Sequence, residues 1–306
     1  MVTSRIDEDD IQPVAPLLRV LERARQSGQV RLLLDYDGTL VPLAASPELA
    51  TPDAELFQLL VTVASARGID LEIVSGRRRG TVNNWFSVLP VTLWAEHGFW
   101  YRAAPDGPWE AAATVDVDWQ AYVLPTLQQF AHRTPGSHIE VKTASVAWHY
   151  RGAERAVGER HADDLRRLLQ NALVYQPLEV LDGKKVLEVR CRGISKALVA
   201  ERTVCDRAVT TVAFGDDRTD EDLFRALPPS SITVAVGQPL RGARYCVDDH
   251  RAVRHVLARL SAASSLVGGA RTQSNKCEEP ISPCAGRRRR RLSRRRVSDI
   301  HSIFSW

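Results

Sequence analysis

The stretch LLLDYDGTL, residues 32–40, constrains the fold of this 306-residue chain more than any other feature. Three leucines run directly into two aspartates, Asp35 and Asp37, which a single residue separates. A short, continuous apolar run that ends in Gly and Thr is typical of a buried strand. Carboxylates at the end of such a strand are costly to bury unless a partner compensates their charge. The stretch therefore predicts either a structural counterion or a site that holds a cation and a substrate.

Two regions of the chain alternate apolar strands with helices. The predicted strands of these regions cover residues 29–37, 69–76, 91–98 and 209–217. This alternation is typical of a parallel α/β sheet, in which ligands bind at the carboxyl ends of the strands. Asp35, Asp37, Ser75 and Gly76 all lie at such ends, so the sequence predicts a ligand site there.

The pattern changes between these two regions. From residue 109 to 184, helices alternate with pairs of strands, which predicts an inserted α+β lobe with an antiparallel sheet. The predicted fold is therefore α/β, with a discontinuous core at 1–108 and 185–264. Residues 265–306 lose the pattern and include a run with eight arginines in eleven residues, so this basic C-terminal tail is expected to be disordered.

The positive charge of the chain is concentrated in that tail. Ten of the 41 Lys and Arg residues and three of the 37 Asp and Glu residues lie between residues 271 and 306. Residues 1–270 therefore carry 31 basic and 34 acidic residues, so the net charge of +4 does not indicate that the folded part binds nucleic acid. A nonspecific contact of the tail with polyanions, such as nucleic acid or anionic lipid, stays open.

Other bulk features favour a reduced, water-soluble protein. No apolar run approaches the roughly 20 residues that a membrane-spanning helix needs, and the acidic start lacks the features of a signal peptide. Five cysteines without a CxxC pair favour free thiols over a disulfide framework or a zinc site. We expect a cytoplasmic, monomeric protein with a small-molecule substrate, no membrane partner and no specific nucleic-acid partner.

A second acidic cluster, FGDDRTDED at residues 214–222, follows another predicted strand. If parallel strands bring Asp35, Asp37 and Asp216 to one edge of the sheet, their oxygens form a hard site that suits Mg²⁺. The alternative is that such acids are turn residues and helix caps. Capping is the preferred interpretation for the three acids that follow: Asp220, Glu221 and Asp222.

Two further features could bind an anion. Ser75 and Gly76 join a strand end to a helix start, where hydroxyl and backbone N–H groups can meet an anion, although a plain N-cap fits equally well. Lys196 begins a predicted helix, where the helix dipole does not stabilise a cation. By itself this lysine would be a solvated surface residue, and both features gain weight only together with the acids.

In chain order, D-x-D-G-T, Ser-Gly, Lys and G-D-D resemble the four motifs of the haloacid dehalogenase (HAD) superfamily. The segments LLLDYDGTL, IVSGR, AEHG, EVKTASVAWHYR, KKVLEVR and FGDDRTDEDLF are also similar to the trehalose-6-phosphate phosphatase family, over about residues 15–262. Before the third motif, Cys191 and Ala197 replace a Pro and a Gly that the family commonly has. The resemblance implies a HAD-like Rossmannoid core, a C2-type cap and Mg²⁺-dependent hydrolysis of trehalose 6-phosphate.

The resemblance also implies catalytic roles. Asp35 would be the nucleophile that forms an aspartyl-phosphate, and Asp37 the general acid and base. Ser75 and Lys196 would bind phosphoryl oxygens, and Asp217 would orient Lys196 or a metal-bound water. The implied Mg²⁺ ligands are Asp35, the backbone carbonyl of Asp37, and Asp216.

A disaccharide leaving group implies polar side chains that bind hydroxyl groups. Candidates in the core are Tyr36, Gly38, Thr39, Gly76, Arg77, Glu96 and His97. Candidates in the inserted lobe are Glu140, Lys142, Ser145, His149 and Arg151. Because half of the residues in an alternating strand face away from a site, each of these is an individual hypothesis, and Trp148 is expected in the core of the lobe.

Two alternatives remain at this point. The chain could be another sugar phosphatase of the same branch, of the sucrose-phosphate or mannosyl-3-phosphoglycerate type. It could also be a catalytically silent, regulatory domain. Silent relatives are expected to lose a nucleophile or a metal acid, and Asp35, Asp37 and Asp216 are all present.

Overall fold

The computed structural model describes residues 14–44, 49–103, 107–203 and 209–262. The predicted tail at 265–306 lies outside these ranges, as do Cys205, Cys277 and Cys284. Cys191 and Cys246 are free thiols. Within the described ranges, every helix is too short or too polar to cross a bilayer.

Twelve strands and eight helices are described. The strands are β1 (Gln29–Asp35), β2 (Ile69–Val74), β3 (Thr92–Ala95), β4 (Trp100–Arg102), β5 (Glu110–Ala111), β6 (His138–Val141), β7 (Ser145–His149), β8 (Leu178–Gly183), β9 (Val186–Cys191), β10 (Val209–Gly215), β11 (Ile232–Val236) and β12 (Tyr245–Val247). The helices are α1 (Val14–Ser27), α2 (Ala54–Ala64), α3 (Arg79–Phe86), α4 (Gln120–Arg133), α5 (Arg155–Ala172), α6 (Ala197–Thr203), α7 (Arg218–Ala226) and α8 (His250–Ala262).

Eight strands form one sheet in the order β12-β11-β10-β1-β2-β3-β4-β5. The first six run parallel, and β4 and β5 are added antiparallel at one edge. The central strand β1 is apolar on both faces because both are covered. Leu32 and Leu34 pack in the layer of α1, α2, α3 and α8, whereas Leu33 packs in the layer of α6 and α7. The three consecutive leucines therefore reflect burial from two sides.

The remaining four strands form an antiparallel sheet in the order β6-β7-β9-β8. Helices α4 and α5 pack against it around a separate apolar cluster. We call this unit of sheet and helices the cap. The predicted α+β lobe with an antiparallel sheet is therefore present, with a sheet and an apolar core of its own.

The predicted limits of the lobe, 109 and 184, do not coincide with the two sheets. β5, after residue 109, pairs with β4 of the large sheet. β9, after residue 184, pairs with β7 and β8 of the cap. The reason is that β8 and β9 form a hairpin through Lys184 and Lys185, so the second strand must stay with the first.

One large buried ring, that of Trp148, packs in the apolar core of the cap. Trp148 is 0% exposed, its ring centroid lies 6.3 Å from that of Phe130 and 5.0 Å from that of Tyr150, and its Nε1 donates to Ser137 Oγ at 3.1 Å. Trp148→Ala leaves a cavity, so we expect the free energy of unfolding to fall by about 3–5 kcal/mol. Urea unfolding followed by circular dichroism measures the change.

Tyr175→Ala is the matched control, because the side chain is 83% exposed. Its effect should stay within about 0.5 kcal/mol. A comparably small effect of Trp148→Ala would contradict the assignment of Trp148 to the cap core.

Candidate active site

The carboxyl ends of three neighbouring strands bring the predicted motifs together. β1 pairs in parallel with β10 and β2, with Leu34 beside Phe214 and Asp35 beside Val74. Asp216 follows the end of β10 and Ser75 follows the end of β2. Residues that are far apart in the chain therefore meet at one edge of the sheet.

Lys196 enters this cluster from the residue before α6. Its side chain is 2% exposed, and its Nζ lies 2.6 Å from Asp35 Oδ1 and 2.7 Å from Asp220 Oδ1. Burial alone would lower the pKa of Lys196, but Asp220 and Asp35 raise it well above its ordinary value. Lys196 is therefore a buried cation rather than a solvated surface residue.

Asp220 is a residue of this cluster whose function the sequence analysis missed. It completes a capping box at the start of α7, where its Oδ2 accepts from the backbone N–H groups of Asp216 and Asp217 at 3.2 and 3.3 Å. The predicted capping role is thus confirmed, but the second oxygen binds Lys196. Asp216 and Asp220 lie four residues apart across the start of α7, and this spacing was a signal that both carboxylates could belong to one site.

Asp217 has a different partner from the expected one. It is the N-cap residue of α7, and its Oδ1 accepts from the backbone N–H and the hydroxyl of Thr219 at 2.8 and 2.7 Å. The carboxylate that binds and orients Lys196 belongs to Asp220 instead. The reason is the geometry of the helix start, which turns neighbouring acids in different directions.

The acid cluster fits a divalent cation. Asp35, Asp216 and Asp220 each offer a carboxylate oxygen, and these oxygens lie within 4.8 Å of one another. Asp35 Oδ2 is buried without a hydrogen-bond partner among the described residues, and Asp216 Oδ2 accepts from the exposed Lys184 Nζ at 3.2 Å. Because both oxygens of Asp220 are engaged by the protein, Asp35 and Asp216 are the better ligands.

The pKa values of these acids support the same conclusion. Burial, reinforced by Asp216 and Asp217 and opposed by Lys196, raises the pKa of Asp35 to about 7. Burial and the charge of Asp217 also raise the pKa of Asp216. Too little positive charge lies near these buried carboxylates to keep them ionised. A bound Mg²⁺, which prefers carboxylate oxygens as ligands, would favour the ionised forms of Asp35 and Asp216.

Asp37 does not point its carboxylate into this cluster. Arg77 donates to both of its oxygens, from Nε to Oδ2 at 2.7 Å and from Nη2 to Oδ1 at 2.6 Å. The guanidinium also lies 5.2 Å from the centre of the Trp85 ring. The expected role of Arg77 was a substrate contact, whereas in the structure it fixes the orientation of Asp37.

The remaining residues of DYDGT, namely Tyr36, Gly38 and Thr39, lie in different surroundings. Gly38 has a φ of +88°, and a Cβ there would lie 2.3 Å from the Asp216 carboxylate, so the turn requires glycine. Thr39 Oγ1 is buried without a partner among the described residues and is available to a ligand. Tyr36 is fully buried and donates to the Ala50 carbonyl at 2.7 Å. Its predicted substrate contact is wrong, because side chains alternate and Tyr36 turns into the core.

The Ser75 motif packs against the loop after β3. Ser75 is buried, and its Oγ accepts from the Arg77 N–H at 3.1 Å. A Cβ at Gly76 would lie 2.4 Å from His97 Cε1, so the histidine ring lies directly against this motif. Burial lowers the pKa of His97 to about 4, which keeps the ring neutral. Its Nδ1 has no partner within the described part of the chain.

A second charged cluster belongs to the cap and contacts His97. Lys142 Nζ lies 3.7 Å from Glu140 Oε2 and 3.8 Å from Glu188 Oε1, and Ser145 Oγ donates to Glu188 Oε1 at 2.5 Å. Glu188 Oε2 is 3.9 Å from His97 Nε2. Burial alone would raise the pKa of Glu188, but Lys142 and His97 lower it to about 2. Glu188 was missed, although a glutamate within the apolar strand β9 was a usable signal.

Three predicted substrate residues bind other protein groups. His149 Nε2 lies 3.1 Å from Glu140 Oε2. Arg151 donates to the backbone carbonyls of Ala44 at 2.7 Å and Lys184 at 3.1 Å, so it links the cap to the loop after DYDGT instead of lining the site. Glu96 accepts from two backbone N–H groups.

Comparison with known proteins gives a consistent match. The family model described as trehalose-phosphatase covers residues 33–243. A bifunctional trehalose-6-phosphate synthase/phosphatase of Thermoproteus tenax is 41% identical over 230 residues, which are 75% of this chain and 31% of that protein. The trehalose-phosphatase of Zygosaccharomyces rouxii is 35% identical over 231 residues, which cover 68% of this chain and 26% of that protein. The chain thus spans about a third or less of these relatives' length.

This chain matches one solved structure over nearly the whole length of the solved domain. The C-terminal domain of C. albicans trehalose-6-phosphate phosphatase superposes with a TM-score of 0.74 at 28% identity, over 80% of this chain and 96% of that domain. The predicted HAD-like α/β fold, with its separate antiparallel sheet, is therefore confirmed. Together with the family model, which matches more than half of the residues, this likeness shows that the chain belongs to the trehalose-phosphatase family.

Proposed function

We propose that this chain is a Mg²⁺-dependent phosphatase that hydrolyses trehalose 6-phosphate to trehalose and phosphate. One observation carries the proposal: the buried Lys196 ammonium binds Asp35 and Asp220 at the edge of the sheet, and the charged cluster of the cap faces the same edge. A phosphate monoester is among the slowest bonds to hydrolyse, so its hydrolysis needs concentrated charge of this kind.

Asp35 would act as the nucleophile. Its carboxylate attacks phosphorus in line, the bond between phosphorus and the sugar oxygen breaks, and an aspartyl-phosphate forms. Lys196, 2.6 Å from Asp35 Oδ1, favours the ionised carboxylate and balances charge on the transferred group. The hydroxyls of Ser75 and Thr39 can donate to phosphoryl oxygens, since both are buried and Thr39 Oγ1 has no partner among the described residues.

Asp37 would transfer the protons. It gives a proton to the departing sugar oxygen, and it later removes one from the water that hydrolyses the aspartyl-phosphate. In this structure Arg77 donates to both oxygens of the carboxylate, so the Asp37–Arg77 pair would have to open before Asp37 transfers a proton. A Mg²⁺ held by Asp35, Asp216 and the Asp37 backbone carbonyl would offset the repulsion between the nucleophile and the phosphate.

The cap supports a sugar rather than a small aliphatic leaving group. Glu140, Lys142 and Glu188 place charged groups beside His97, and such groups bind hydroxyls in fixed directions. A site built to hydrogen-bond hydroxyls discriminates strongly against substrates that lack them. Another sugar phosphatase of the same branch shares these features, whereas a catalytically silent domain would not need the complete set around Lys196.

Release of phosphate from three sugar phosphates tests the substrate and the metal together. We expect trehalose 6-phosphate to be hydrolysed in preference to glucose 6-phosphate and sucrose 6-phosphate. EDTA should remove the activity and Mg²⁺ should restore it, because Asp35 and Asp216 need a counterion. Preference for sucrose 6-phosphate would replace the proposed substrate, and full activity in EDTA would reject the metal.

Asp35→Asn tests the nucleophile. The amide keeps the shape of the side chain but cannot attack phosphorus, so we expect kcat to fall by about 10³-fold or more. Circular dichroism serves as the control for an unchanged fold. A variant that retains the wild-type rate would show that another group attacks.

Asp220→Asn tests the residue that binds Lys196 from α7. The substitution removes one of the two carboxylates on a buried ammonium, so we expect kcat to fall by about 10- to 100-fold. Asp222→Asn on the same helix is the matched control, because that carboxylate pairs with Arg225 and Arg190 and does not contact Lys196. Equal losses in both variants would contradict a specific role for Asp220.

A further inference from the structure

Glu96 lies where the large sheet meets the cap, directly after β3. Glu96 is 7% exposed, and both of its carboxylate oxygens accept hydrogen bonds from backbone N–H groups. Oε2 accepts from Thr143 N at 2.7 Å, and Oε1 accepts a longer bond from Arg79 N at 3.4 Å. Thr143 belongs to the turn between β6 and β7 of the cap, whereas Arg79 is the first residue of α3 in the core. One carboxylate therefore joins the two parts of the molecule.

The backbone around Glu96 is fixed to the phosphate-site loop. Glu96 has a φ of +52°, in the left-handed region that a glutamate rarely adopts. Its N–H donates to the Arg77 carbonyl at 2.9 Å, and the N–H of His97 donates to the Ser75 carbonyl at 3.0 Å. A strained residue that its neighbours hold in place is typical of a functional position.

Other contacts converge on the same turn of the cap. Trp100 Nε1 donates to Thr143 Oγ1 at 2.9 Å, and the Arg79 guanidinium lies 4.1 Å from the Trp100 ring centre. Gln120 Nε2 donates to the carbonyls of Lys142 and Thr143 at 2.9 and 3.1 Å. The turn is therefore held from several directions, but Glu96 supplies its charged hydrogen bond to the core.

The position of this turn determines where Lys142 lies. Lys142 directly precedes Thr143, and its side chain is 8% exposed between Glu140 and Glu188. Burial alone would lower the pKa of Lys142, but Glu188 and Glu140 raise it, so the group is a cation beside the two cap glutamates. A shift of the turn would move this cation.

We propose that Glu96 is a positioning residue for substrate recognition, which docks the β6–β7 turn on the catalytic core and thereby places Lys142 on the cap side of the site, beside Glu188. Glu96 acts through the Thr143 N–H and not by contact with the sugar, because both of its oxygens already accept protein hydrogen bonds. The inference rests on the proposed function, since only a substrate with a sugar needs the lysine of the cap.

The test compares two substrates in variants of the full chain. Trehalose 6-phosphate needs the cap, whereas p-nitrophenyl phosphate has no sugar and needs the core alone. For Glu96→Ala we expect kcat/KM for trehalose 6-phosphate to fall by about 10- to 100-fold, mainly through KM, as for the loss of a charged hydrogen bond. Turnover of p-nitrophenyl phosphate should change little. Glu96→Gln should give a smaller loss because its amide oxygen can still accept from Thr143.

Two further variants complete the design. Glu110→Gln is the charge control, because Glu110 pairs with Arg202 at 2.8 Å on the exposed edge of the large sheet, and we expect no change with either substrate. If Glu96 acts through Lys142, adding Glu96→Ala to Lys142→Ala should cause little additional loss, since effects that share one route are not additive.

Amide hydrogen exchange gives a readout that does not depend on activity. We expect the Thr143 amide to exchange faster in Glu96→Ala than in the wild type and in Glu110→Gln, with Glu96→Gln in between because its amide oxygen can still accept from Thr143. If the wild type does not hydrolyse trehalose 6-phosphate, the proposed function fails while the exchange rate still tests the docking. Equal loss with both substrates, additive effects with Lys142→Ala, or an unchanged Thr143 exchange rate would overturn the inference.

Discussion

A lysine buried among carboxylates is the interaction on which the rest of this site depends. The parallel pairing of β1 with β10 brings Asp35 and Asp216 together, and the start of α7 adds Asp220 to the same cluster. The Lys196 ammonium binds two of these acids, which leaves an excess of negative charge in a buried place. Such an excess is unstable by itself, because burial without a counterion is costly. We propose that a divalent cation supplies the missing positive charge.

In the proposed function, the large sheet supplies the reacting groups and the cap supplies the groups that recognise the sugar. The large sheet fixes the reacting groups at the ends of buried strands, where neighbouring strands and helix starts leave them little freedom. The cap carries Lys142 and Glu188, which lie close to each other, and Glu188 also lies 3.9 Å from His97 of the core. Within the core, Arg77 binds Asp37, and Glu96 binds the β6–β7 turn of the cap. In the proposed function, recognition of the sugar would therefore depend on the geometry of the phosphate site.

The sequence predicted the fold class and the meeting of Asp35, Asp216 and Ser75, because strand ends in a parallel sheet share one edge. Lys196 precedes a helix, and only the resemblance to the HAD motifs placed it with these residues. The sequence could not predict which of several adjacent acids faces the lysine, since that choice depends on the dihedral angles of the first turn of α7. Tyr36 was misassigned for a related reason: two acids flank it in the sequence, but its side chain points to the opposite side. Glu188 and the docking role of Glu96 follow from pairing between β9, β7 and the loop after β3, and such long-range pairing leaves only a weak trace in the sequence.

We propose that a bound divalent cation balances the buried carboxylates of Asp35 and Asp216. Isothermal titration of the full chain with Mg²⁺ tests this balance, with Asp216→Asn and the helix α7 variant Asp222→Asn titrated beside it. We predict saturable binding of a single Mg²⁺ by the wild type and by Asp222→Asn, and a large loss of affinity in Asp216→Asn. Absence of saturable binding in the wild type, or equal affinity in Asp216→Asn, would contradict the claim.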